Sequence, residues 1–337
     1  MSVKKRPPVT AIPLEDSPQR PSSYHAPSPP QDIEGLPTQM FMHINNCNIL
    51  VNADDLKLDD IIGEGHFSSV FKVNVPSAET KIAIKETHYI DHESSTVREI
   101  QNLQKCKSPF LVTCYGILQR QEYVLFCLEL MDCSLKDLID LITKKASFVK
   151  QPQLFSDDLI SASAYSITSG LDYLKSLNVM HRDVKPSNVL IDRMGKIKLC
   201  DFGISVVLKN SVTGTMIGSQ MYLSPERINL EKNVPYSWKS DVWALGLTLI
   251  ELITGKYPYA RDSGVYDLLC QIKKSDPPRL PPCSHSPYIC EYVDKCLVKD
   301  VSARPTYREL LSLKLASIGA EVSSQFIGNT VAEILDS

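Results

Sequence analysis

The sequence predicts an α+β protein with two lobes, a small strand-rich lobe followed by a larger helical one. From Leu58 to about Leu130 the chain is rich in alternating and β-branched residues, which is typical of strands, with one predicted helix around residues 95–105. From Ser134 onward the apolar residues recur at helical spacing. After Ser156 they occupy one helix face, and two acids precede them in the first turn, where the helix dipole favours negative charge. These residues are Ile160, Ala164, Ile167, Leu171 and Leu174, with Asp157 and Asp158 as the acids.

Composition and charge narrow the class of protein. The chain has 337 residues, of which 43% are hydrophobic and 22% charged, so it can bury one large core or two lobes. The net charge of −3 provides no broad basic field for nucleic acid, and no run of about eighteen apolar residues indicates membrane insertion. The first residues lack the apolar run of a signal peptide. The ten cysteines include no Cys-x-x-Cys pair, so their spacing does not suggest a zinc site. We therefore expect a protein of the cytoplasm, with the nucleus as a second location.

The two ends of the chain differ from the middle. Residues 1–53 are predicted to be a disordered, proline-rich tail, because the first forty residues contain nine of the 22 prolines and show no apolar period. The ordered domain is predicted over residues 54–318. Residues 319–337 are predicted to be a C-terminal tail, in which Val331 to Leu335 form a short amphipathic helix or a frayed end.

Two short runs in the middle of the chain bring carboxylates, a lysine and an amide together in sequence. The first is His181-Arg182-Asp183-Val184-Lys185-Pro186-Ser187-Asn188. The second, Asp201-Phe202-Gly203, begins thirteen positions after Asn188. Together these are the groups that phosphoryl transfer from Mg-ATP requires.

A glycine-containing run lies between two strand-like segments near the start of the ordered part. In Ile62-Gly63-Glu64-Gly65, the glycines would let backbone amides approach phosphates, although on its own the run is more typical of a bare hairpin turn. The context favours phosphate binding. Lys85 ends an apolar strand, and Glu99 lies on the predicted helix, so that their ion pair would hold Lys85 near the phosphates. The alternative for Lys85 is an ordinary surface lysine, and the alternative for Glu99 is a place on a solvated helix face.

The order of these motifs, followed by Ser224-Pro225-Glu226, resembles that of the eukaryotic protein kinases from about Leu58 to about Ile318. Within that superfamily the chain resembles the MAP kinase kinases. The runs that carry this narrower resemblance are Cys127 to Leu135, His181 to Leu190, Cys200-Asp201, Ile204-Ser205, Gly218 and Met221 to Arg227. The absence of a long proline-rich insertion after Tyr257-Pro258-Tyr259, and of two glycines after Met131, favours the stress-activated branch.

The resemblance implies a bilobal protein kinase fold with an ATP cleft between the lobes. It implies that Asp183 accepts or orients the proton of the substrate hydroxyl and that Lys185 neutralises charge on the transferred phosphoryl group. Asn188 and Asp201 would hold magnesium, since hard oxygen ligands suit this metal. The residues expected to bind ATP are Ile62, Gly63, Glu64, Gly65, Val70, Ala83, Lys85, Leu128, Glu129, Met131, Ser187, Asn188, Cys200 and Asp201.

Other residues receive structural or chemical roles from the same resemblance. Asp241 would brace the catalytic loop, and Arg304 would pair with Glu226 inside the large lobe. Ser68 departs from the family pattern, because it occupies the position of the third glycine of the loop. Cys200 would face the ATP cleft and react with electrophiles bound there, and an inert core thiol is the alternative.

Regulation and partners are also implied. Ser211 and Thr215 have the spacing at which MAP kinase kinases are activated by an upstream MAP kinase kinase kinase, and their phosphates would pair with Arg182. A solvated turn is the alternative. In the tail, the docking segment at about residues 4–14 would hold a downstream MAP kinase, while residues 319–337 would dock the upstream kinase or remain a frayed end. The docking residues are Lys4, Lys5, Arg6, Ile12 and Leu14, for which simple solubility or part of a nuclear signal is the alternative.

The predicted function is a dual-specificity kinase that transfers the γ-phosphate of ATP to Thr and Tyr in the activation loop of a MAP kinase, with scaffold proteins as further partners. The alternative is a catalytically weak or dead kinase fold that acts as a scaffold in the same pathway. Because Lys85, Asp183 and Asp201 are all present, the sequence favours an active enzyme.

Overall fold

The computed structural model describes residues 36–58, 60–65, 68–75, 79–88, 104–145, 154–202, 221–228, 237–259, 264–281 and 285–337. One compact unit spans residues 32–337. Within it, a strand-rich small lobe precedes a helical large lobe, as the sequence predicts. The short segment after residue 128 joins the two lobes and is called the hinge below.

Ten strands lie in the described residues. They are β1 (Gln39–Ile44), β2 (Cys47–Asn52), β3 (Asp60–Glu64), β4 (Ser68–Val75), β5 (Thr80–His88), β6 (Cys114–Arg120), β7 (Tyr123–Leu128), β8 (Cys133–Ser134), β9 (Val189–Ile191) and β10 (Ile197–Leu199). Strands β3 to β7 form an antiparallel sheet in the order β3-β4-β5-β7-β6. Ile82, Ile84 and Leu125 of this sheet are fully buried in the core of the small lobe. The small sheet β8-β9-β10 begins the large lobe directly below the hinge.

Eight α-helices lie in the described residues. They are α1 (Leu135–Lys145), α2 (Asp157–Ser176), α3 (Trp238–Thr254), α4 (Gly264–Lys274), α5 (Pro287–Cys296), α6 (Tyr307–Leu311), α7 (Lys314–Glu321) and α8 (Ser324–Asp336). Helix α3 is buried from Ser240 to Ile253 and forms the centre of the large lobe, where Trp243 is fully buried. It ends at Gly255, whose left-handed φ of 71° suits a residue without a Cβ. None of the helices described is long and apolar enough to cross a bilayer.

Helix α2 confirms the periodicity read from the sequence. Ser156 caps its start, because the side chain accepts a hydrogen bond from the backbone N–H of Leu159. The five apolar residues predicted on one face are all buried, and the two acids stand in the first turn. The helix packs against α6, α7 and β10, so it supports the strand that leads to Asp201.

The prediction of disorder through residue 53 is wrong for residues 39–52, which form the hairpin β1-β2. Asn45 and Asn46 form its two-residue turn with φ values of 47° and 63°, a conformation that asparagine tolerates better than most residues. Met42 and Ile44 alternate inward and are buried. The hairpin lies so close to β6 that a Cβ on Gly116 would stand 2.7 Å from a methionine side chain of β1. The folded part of the chain therefore begins before the predicted boundary.

The predicted C-terminal boundary at residue 318 falls inside helix α7, so the tail is part of the folded large lobe. The helix predicted at residues 331–335 is present as the longer α8, in which Ile327 and Val331 are buried. Near its end, Asp336 accepts two hydrogen bonds from Arg193, of 2.8 and 2.7 Å. The apolar face of α8 is therefore used to pack the helix onto the domain.

Several predicted features lie outside the described residues. Residues 95–103 of the helix predicted around residues 95–105, including Glu99, are outside the described ranges. Its last two residues, Gln104 and Lys105, lie in a turn. The docking segment at residues 4–14 is also outside the described ranges, as are Ser211 and Thr215.

Candidate active site

A cleft of about 430 Å³ lies between the small lobe and the large lobe. Strands β3, β4 and β5 form its roof, the hinge closes its back, and β9 and the end of β10 form its floor. Of the residues predicted to bind a nucleotide, the cleft lining includes Ile62, Gly63, Val70, Ala83, Lys85, Leu128, Glu129, Met131, Ser187, Cys200 and Asp201. Three predicted residues are not in the lining: Glu64 ends β3, Gly65 follows it, and Asn188 directly precedes β9. The structure thus brings residues from both lobes to one cavity of the size that binds a cofactor.

The glycine-containing run forms the turn region of the β3-β4 hairpin. Gly63 pairs with Val70, and the backbone N–H of Gly65 donates a 2.7 Å hydrogen bond to the carbonyl of Ser68. A Cβ on Gly65 would lie 3.1 Å from the Ser68 hydroxyl, so a larger residue there would crowd the tip. Ser68, at the position of the third glycine, is accommodated as the first residue of β4, and the missing Cβ of Gly65 leaves room for its hydroxyl.

Lys85 extends from β5 into the cleft and meets Asp201. Its Nζ lies 2.7 Å from Asp201 Oδ1, and both side chains are largely buried. Burial alone would raise the pKa of the Asp201 carboxyl, but the charge of Lys85 and its hydrogen bond outweigh this and lower the pKa. Asp201 also has a left-handed φ of 61°, which is uncommon for an aspartate and points to a functional constraint. The predicted partner of Lys85, Glu99, lies outside the described residues.

Asp183, Lys185 and Asn188 meet around one carboxylate. Lys185 Nζ donates a 2.7 Å hydrogen bond to Asp183 Oδ2, and Asn188 Nδ2 donates 2.8 Å to the same oxygen. Asn188 Nδ2 also donates 2.7 Å to the backbone carbonyl of Asp183. Among the described residues no donor reaches Asp183 Oδ1, so one carboxylate oxygen is held in place and the other can accept a proton.

The backbone before Asp183 is held from below by Asp241 of α3. This carboxylate is fully buried and accepts hydrogen bonds from the backbone N–H groups of His181 and Arg182, at 3.2 and 3.0 Å. Arg182 has a left-handed φ of 69°, which costs free energy unless neighbouring contacts hold it. Burial lowers the pKa of the His181 imidazole. The geometry thus confirms the predicted contact between Asp241 and the catalytic loop.

The oxygen groups near Asp201 fit a hard divalent cation. Because Asn188 Nδ2 is used by Asp183, the side-chain oxygen of Asn188 is left as an acceptor. One oxygen of Asp201 binds Lys85 and leaves the second carboxylate oxygen for a cation. A hydrogen bond of 3.0 Å from the backbone N–H of Cys200 to the carbonyl of Asn188 keeps the two segments adjacent. An amide oxygen and a carboxylate oxygen are ligands that magnesium accepts.

Arg304 and Glu226 form the predicted pair inside the large lobe. Two hydrogen bonds of 2.9 and 3.0 Å join them, and Ser240 donates a third bond to the carboxylate. Burial would raise the pKa of the Glu226 carboxyl, but the bonds from Arg304 outweigh it and lower the pKa. Arg304 is fully buried and also stacks over the Trp243 ring at 5.3 Å. This pair lies away from the cleft lining and fixes the large lobe.

The cleft lining also contains residues that the sequence analysis did not assign to nucleotide binding. They are Lys72, Val112, Leu130, Asp132, Cys133, Ser134, Asp137 and Leu190. Ser134 and Asp137 begin α1 with reciprocal hydrogen bonds, in which Asp137 accepts from the backbone N–H and hydroxyl of Ser134 at 2.8 and 2.7 Å. Their spacing is a capping signal that the sequence does contain. Val112 and Lys72 lie in none of the motifs read from the sequence, because they reach the cleft only through the tertiary fold.

Comparison with known proteins assigns this arrangement to a family. The family model of the protein kinase domain matches residues 56–315. The chain is 35% identical over 295 residues to the dual specificity mitogen-activated protein kinase kinase sek-1 of Caenorhabditis elegans, with 86% of each chain covered. The chain belongs to the protein kinase family, in the branch of the MAP kinase kinases.

Two further relatives support the assignment to the MAP kinase kinases. This chain is 36% identical over 309 residues to the mitogen-activated protein kinase kinase MST7 of Pyricularia oryzae, covering 85% of this chain and 71% of the relative. It is 31% identical over 312 residues to the dual specificity mitogen-activated protein kinase kinase jkk-1 of Caenorhabditis elegans, covering 90% of this chain and 70% of the relative. The resemblance read from the motifs is thereby confirmed, together with the bilobal kinase fold.

Proposed function

We propose that this kinase is a dual-specificity MAP kinase kinase, which transfers the γ-phosphate of ATP to a Thr and a Tyr in the activation loop of a MAP kinase. The observation that carries the proposal is the convergence of Lys185 and Asn188 on one oxygen of Asp183, at 2.7 and 2.8 Å, beside a cleft that contains Lys85 and Asp201. The names of the relatives support the same substrate class.

In the proposed mechanism, Asp183 accepts the proton of the substrate hydroxyl through its free carboxylate oxygen. Lys185, which is held beside Asp183, would neutralise charge on the phosphoryl group as it moves, and Lys85 would bind the α- and β-phosphates. Asn188 and Asp201 would hold magnesium, which supplies positive charge to the phosphate oxygens when bound. Lys85 would bind both Asp201 and the phosphates of the nucleotide. We therefore expect the 2.7 Å ion pair between Lys85 and Asp201 to rearrange when the nucleotide binds.

The second candidate function is a dead kinase fold that acts as a scaffold. A scaffold needs the fold but not the catalytic groups, whereas here Lys85, Asp183 and Asp201 are all present. The carboxylate of Asp183 also has a lysine and an amide within 2.8 Å, and ordering these side chains costs conformational entropy for an arrangement that a scaffold does not need. An active kinase therefore explains the catalytic groups and their contacts, which a scaffold leaves unexplained.

The regulatory part of the proposal concerns Ser211 and Thr215. Phosphorylation by an upstream kinase would add negative charge to the segment that follows Asp201-Phe202-Gly203, and Arg182, next to Asp183, is the proposed partner of that charge. Ordering of the loop would then complete the site for the protein substrate. The left-handed backbone of Arg182 supports the idea that this residue is held in a specific position.

The docking part of the proposal concerns the N-terminal segment. Lys4, Lys5 and Arg6 would meet an acidic patch of the MAP kinase, while Ile12 and Leu14 enter an apolar groove. Replacing Ile12 and Leu14 by Ala should raise KM for the MAP kinase several-fold, because loss of two apolar anchors weakens binding but not chemistry. Steady-state kinetics with varied MAP kinase, and then with varied ATP as the control, would measure this. An unchanged KM for the MAP kinase would contradict the docking role.

The proposal also includes further partners and a location in the cell. Residues 319–337 are the proposed docking region for the upstream kinase, and because the apolar face of α8 packs onto the domain, its outward face would make that contact. Scaffold proteins of the cascade remain proposed partners. We propose a cytoplasmic location, with the nucleus as a second one.

A panel of inactive MAP kinases tests the proposed function. Each is incubated with ATP, magnesium and the wild-type chain that has been treated with an activating upstream kinase, and phosphorylated sites are identified by mass spectrometry. We expect phosphate on both the Thr and the Tyr of the activation loop of at least one panel member. The variant with Ser211→Ala and Thr215→Ala serves as the matched control and should gain no activity. Absence of phosphate on every MAP kinase would contradict the function, and equal activation of the control would contradict the assigned switch.

A further inference from the structure

The two sides of the hairpin β1-β2 are used differently. On the inward side, Met42 and Ile44 are buried in the core of the small lobe. On the outward side, Phe41 and Leu50 lie directly opposite each other across the two strands, and their exposed fractions are 70% and 53%. A hairpin with one buried side usually presents polar residues on the other. The hairpin therefore carries an apolar pair where its alternation predicts polar side chains.

Polar residues frame this apolar pair at both ends. Gln39 lies opposite Asn52 at one end, and His43 lies opposite Asn48 at the other. A hydrogen bond of 2.9 Å joins His43 Nδ1 and Asn48 Oδ1. An apolar centre within a polar rim is the usual anatomy of a protein interface. The six residues of this side are called the outer face: Gln39, Phe41, His43, Asn48, Leu50 and Asn52.

One end of the outer face is acidic. Asp54 and Asp55 follow Asn52 closely in sequence, and both are exposed. Asp60 adds a third exposed carboxylate, and Lys57 is the one exposed cation among the described residues from 52 to 60. An excess of negative charge beside an apolar pair favours a partner that is basic at one end and apolar at the other.

The docking segment at residues 4–14 has this chemistry. It contains three cations, followed by Ile12 and Leu14. Its last cation and its first apolar residue are six positions apart, a span of at most about 20 Å. On the surface, Leu50 and Asp54 are four positions apart, a span of at most about 14 Å. The apolar and the charged contacts can therefore form at the same time.

The segment is also within reach of the outer face in the same molecule. Leu36 is buried, and the carbonyl of Pro37 accepts a 2.9 Å hydrogen bond from the backbone N–H of Gln119, so the chain is fixed where it leads into the hairpin. The 21 residues between Leu14 and Leu36 can span up to about 70 Å, whereas a strand of six residues is only about 20 Å long. A short tether of this kind gives an effective concentration of roughly 1 mM.

We propose that the outer face binds the chain's own docking segment, with Ile12 and Leu14 on the apolar pair and the three cations at the acidic end. A second copy of the chain fits this surface less well. Two side chains expose at most about 300 Å², whereas each partner of a stable dimer buries about 800 Å². A tethered segment needs less area because its local concentration is high.

A docking segment held in this way is withheld from the MAP kinase until the MAP kinase displaces it. The inference rests on the proposed function for the identity of the segment. The contact itself requires neither a MAP kinase nor ATP, so it can be tested separately.

A fluorescent peptide of residues 1–14 tests the contact when it is titrated with the full chain and followed by anisotropy. In the wild type, the tethered segment competes with the peptide. In the variant with Ile12→Ala and Leu14→Ala, the outer face is open. For a contact with a Kd on the order of 100 µM and an effective concentration of roughly 1 mM, the peptide should bind this Ala variant about tenfold more tightly than the wild type.

Further changes in the Ala variant locate the binding surface. Adding Phe41→Thr and Leu50→Thr should abolish peptide binding, since threonine suits a strand but removes the apolar pair. Ile61→Thr is the matched control, because Ile61 is 52% exposed on β3 of the same lobe and lies outside the outer face. Adding Asp54→Asn and Asp55→Asn should weaken binding and reduce its salt dependence. Melting temperatures are measured for all variants.

Three results would overturn the proposal. They are equal affinity of the peptide for the wild type and the Ala variant, binding that survives the two threonine substitutions, and an equal loss of binding in Ile61→Thr. A wild-type dimer that Phe41→Thr dissociates in analytical ultracentrifugation would assign the outer face to a second copy and would also overturn it. Failure to phosphorylate any MAP kinase contradicts the proposed function and leaves the peptide result unaffected.

Discussion

Two buried ion pairs of this kinase differ in how completely their hydrogen bonds are satisfied. Arg304 donates to both oxygens of Glu226 and also to the backbone carbonyls of Val298 and Lys239, at 2.8 and 2.6 Å. In the cleft, the one ion pair of Lys85 within the described residues is its 2.7 Å contact with Asp201, whose side chain is 30% exposed. Among those residues, the Arg304 pair has its hydrogen bonds made within the protein, whereas the Lys85 pair has bonding capacity left for a ligand.

This difference separates a structural role from a functional one. A buried charge whose hydrogen bonds are all made within the protein gains nothing from a ligand, and its loss leaves unpaired groups in the core. A charge with unused capacity, held beside a cavity, can transfer part of its bonding to an incoming phosphate or metal ion. Removal of the first kind should cost stability, and removal of the second kind should cost binding or catalysis.

The largest expected effect falls on turnover and concerns the free oxygen of Asp183. Asp183→Asn keeps the shape and the bond from Lys185 but cannot accept the substrate proton. We expect kcat to fall by about 10³-fold, while the ADP Kd and the melting temperature change little. Steady-state kinetics and calorimetry on the same preparation measure this. Substantial phosphotransfer by the variant would remove the assignment of the catalytic carboxylate.

The next effect falls on stability and concerns Arg304. Arg304→Met leaves Glu226 and several carbonyls without partners, so unfolding should become easier by about 3–5 kcal/mol. Arg308→Met is the matched control, because Arg308 is 85% exposed and lies 3.8 Å from Asp172. Denaturant unfolding measures both variants, and equal stability of the two would contradict the structural role.

The pH dependence of the Arg304 effect follows from the lowered pKa of Glu226. A carboxyl whose pKa is lower in the folded protein contributes stability above its unfolded value, and this contribution is lost as the pH falls through the folded value. The difference between wild type and Arg304→Met should therefore shrink below about pH 4.5, the ordinary value of this group. A difference that stays constant at lower pH would show that Glu226 does not carry the effect.

The smallest effect concerns Cys200 at the floor of the cleft. Burial raises the pKa of this thiol well above the ordinary value of 9.0, so it is protonated at neutral pH and reacts slowly. Labelling by an electrophile that binds in the cleft should be slow, suppressed by ATP, and still rising with pH above about 9. Intact-protein mass spectrometry measures it, with Cys200→Ala as the control. Labelling that survives this substitution would contradict the prediction.

The sequence predicts the site best where its residues are close together in the chain. Asp183, Lys185 and Asn188 lie within six positions, so their motif could be read directly, and the structure brings them together. By contrast, a 2.6 Å ion pair joins Lys198 to Glu129 across 69 positions and carries no motif, because only the packing of β10 behind the hinge creates it.

The missed hairpin β1-β2 has a different cause. Its alternation of apolar residues and its Asn45-Asn46 turn are local signals, but they follow a proline-rich segment whose composition dominated the interpretation. Its stability also depends on packing against Gly116 of β6, more than sixty residues away in sequence. The C-terminal boundary was missed for a similar reason, since α8 is fixed by Arg193 from the β9-β10 turn.

The most direct test of the account compares Lys85→Met with Arg304→Met in one experiment. Both variants remove one cation from a buried ion pair and replace it by the same apolar side chain. For each, ADP affinity is measured by calorimetry and the melting temperature by differential scanning calorimetry. The account predicts that Lys85→Met loses ADP affinity by at least about tenfold with a small change in melting temperature, while Arg304→Met melts well below wild type and its folded fraction binds ADP normally. A Lys85→Met protein that binds ADP like the wild type, or equal losses of affinity and stability in the two variants, would contradict it.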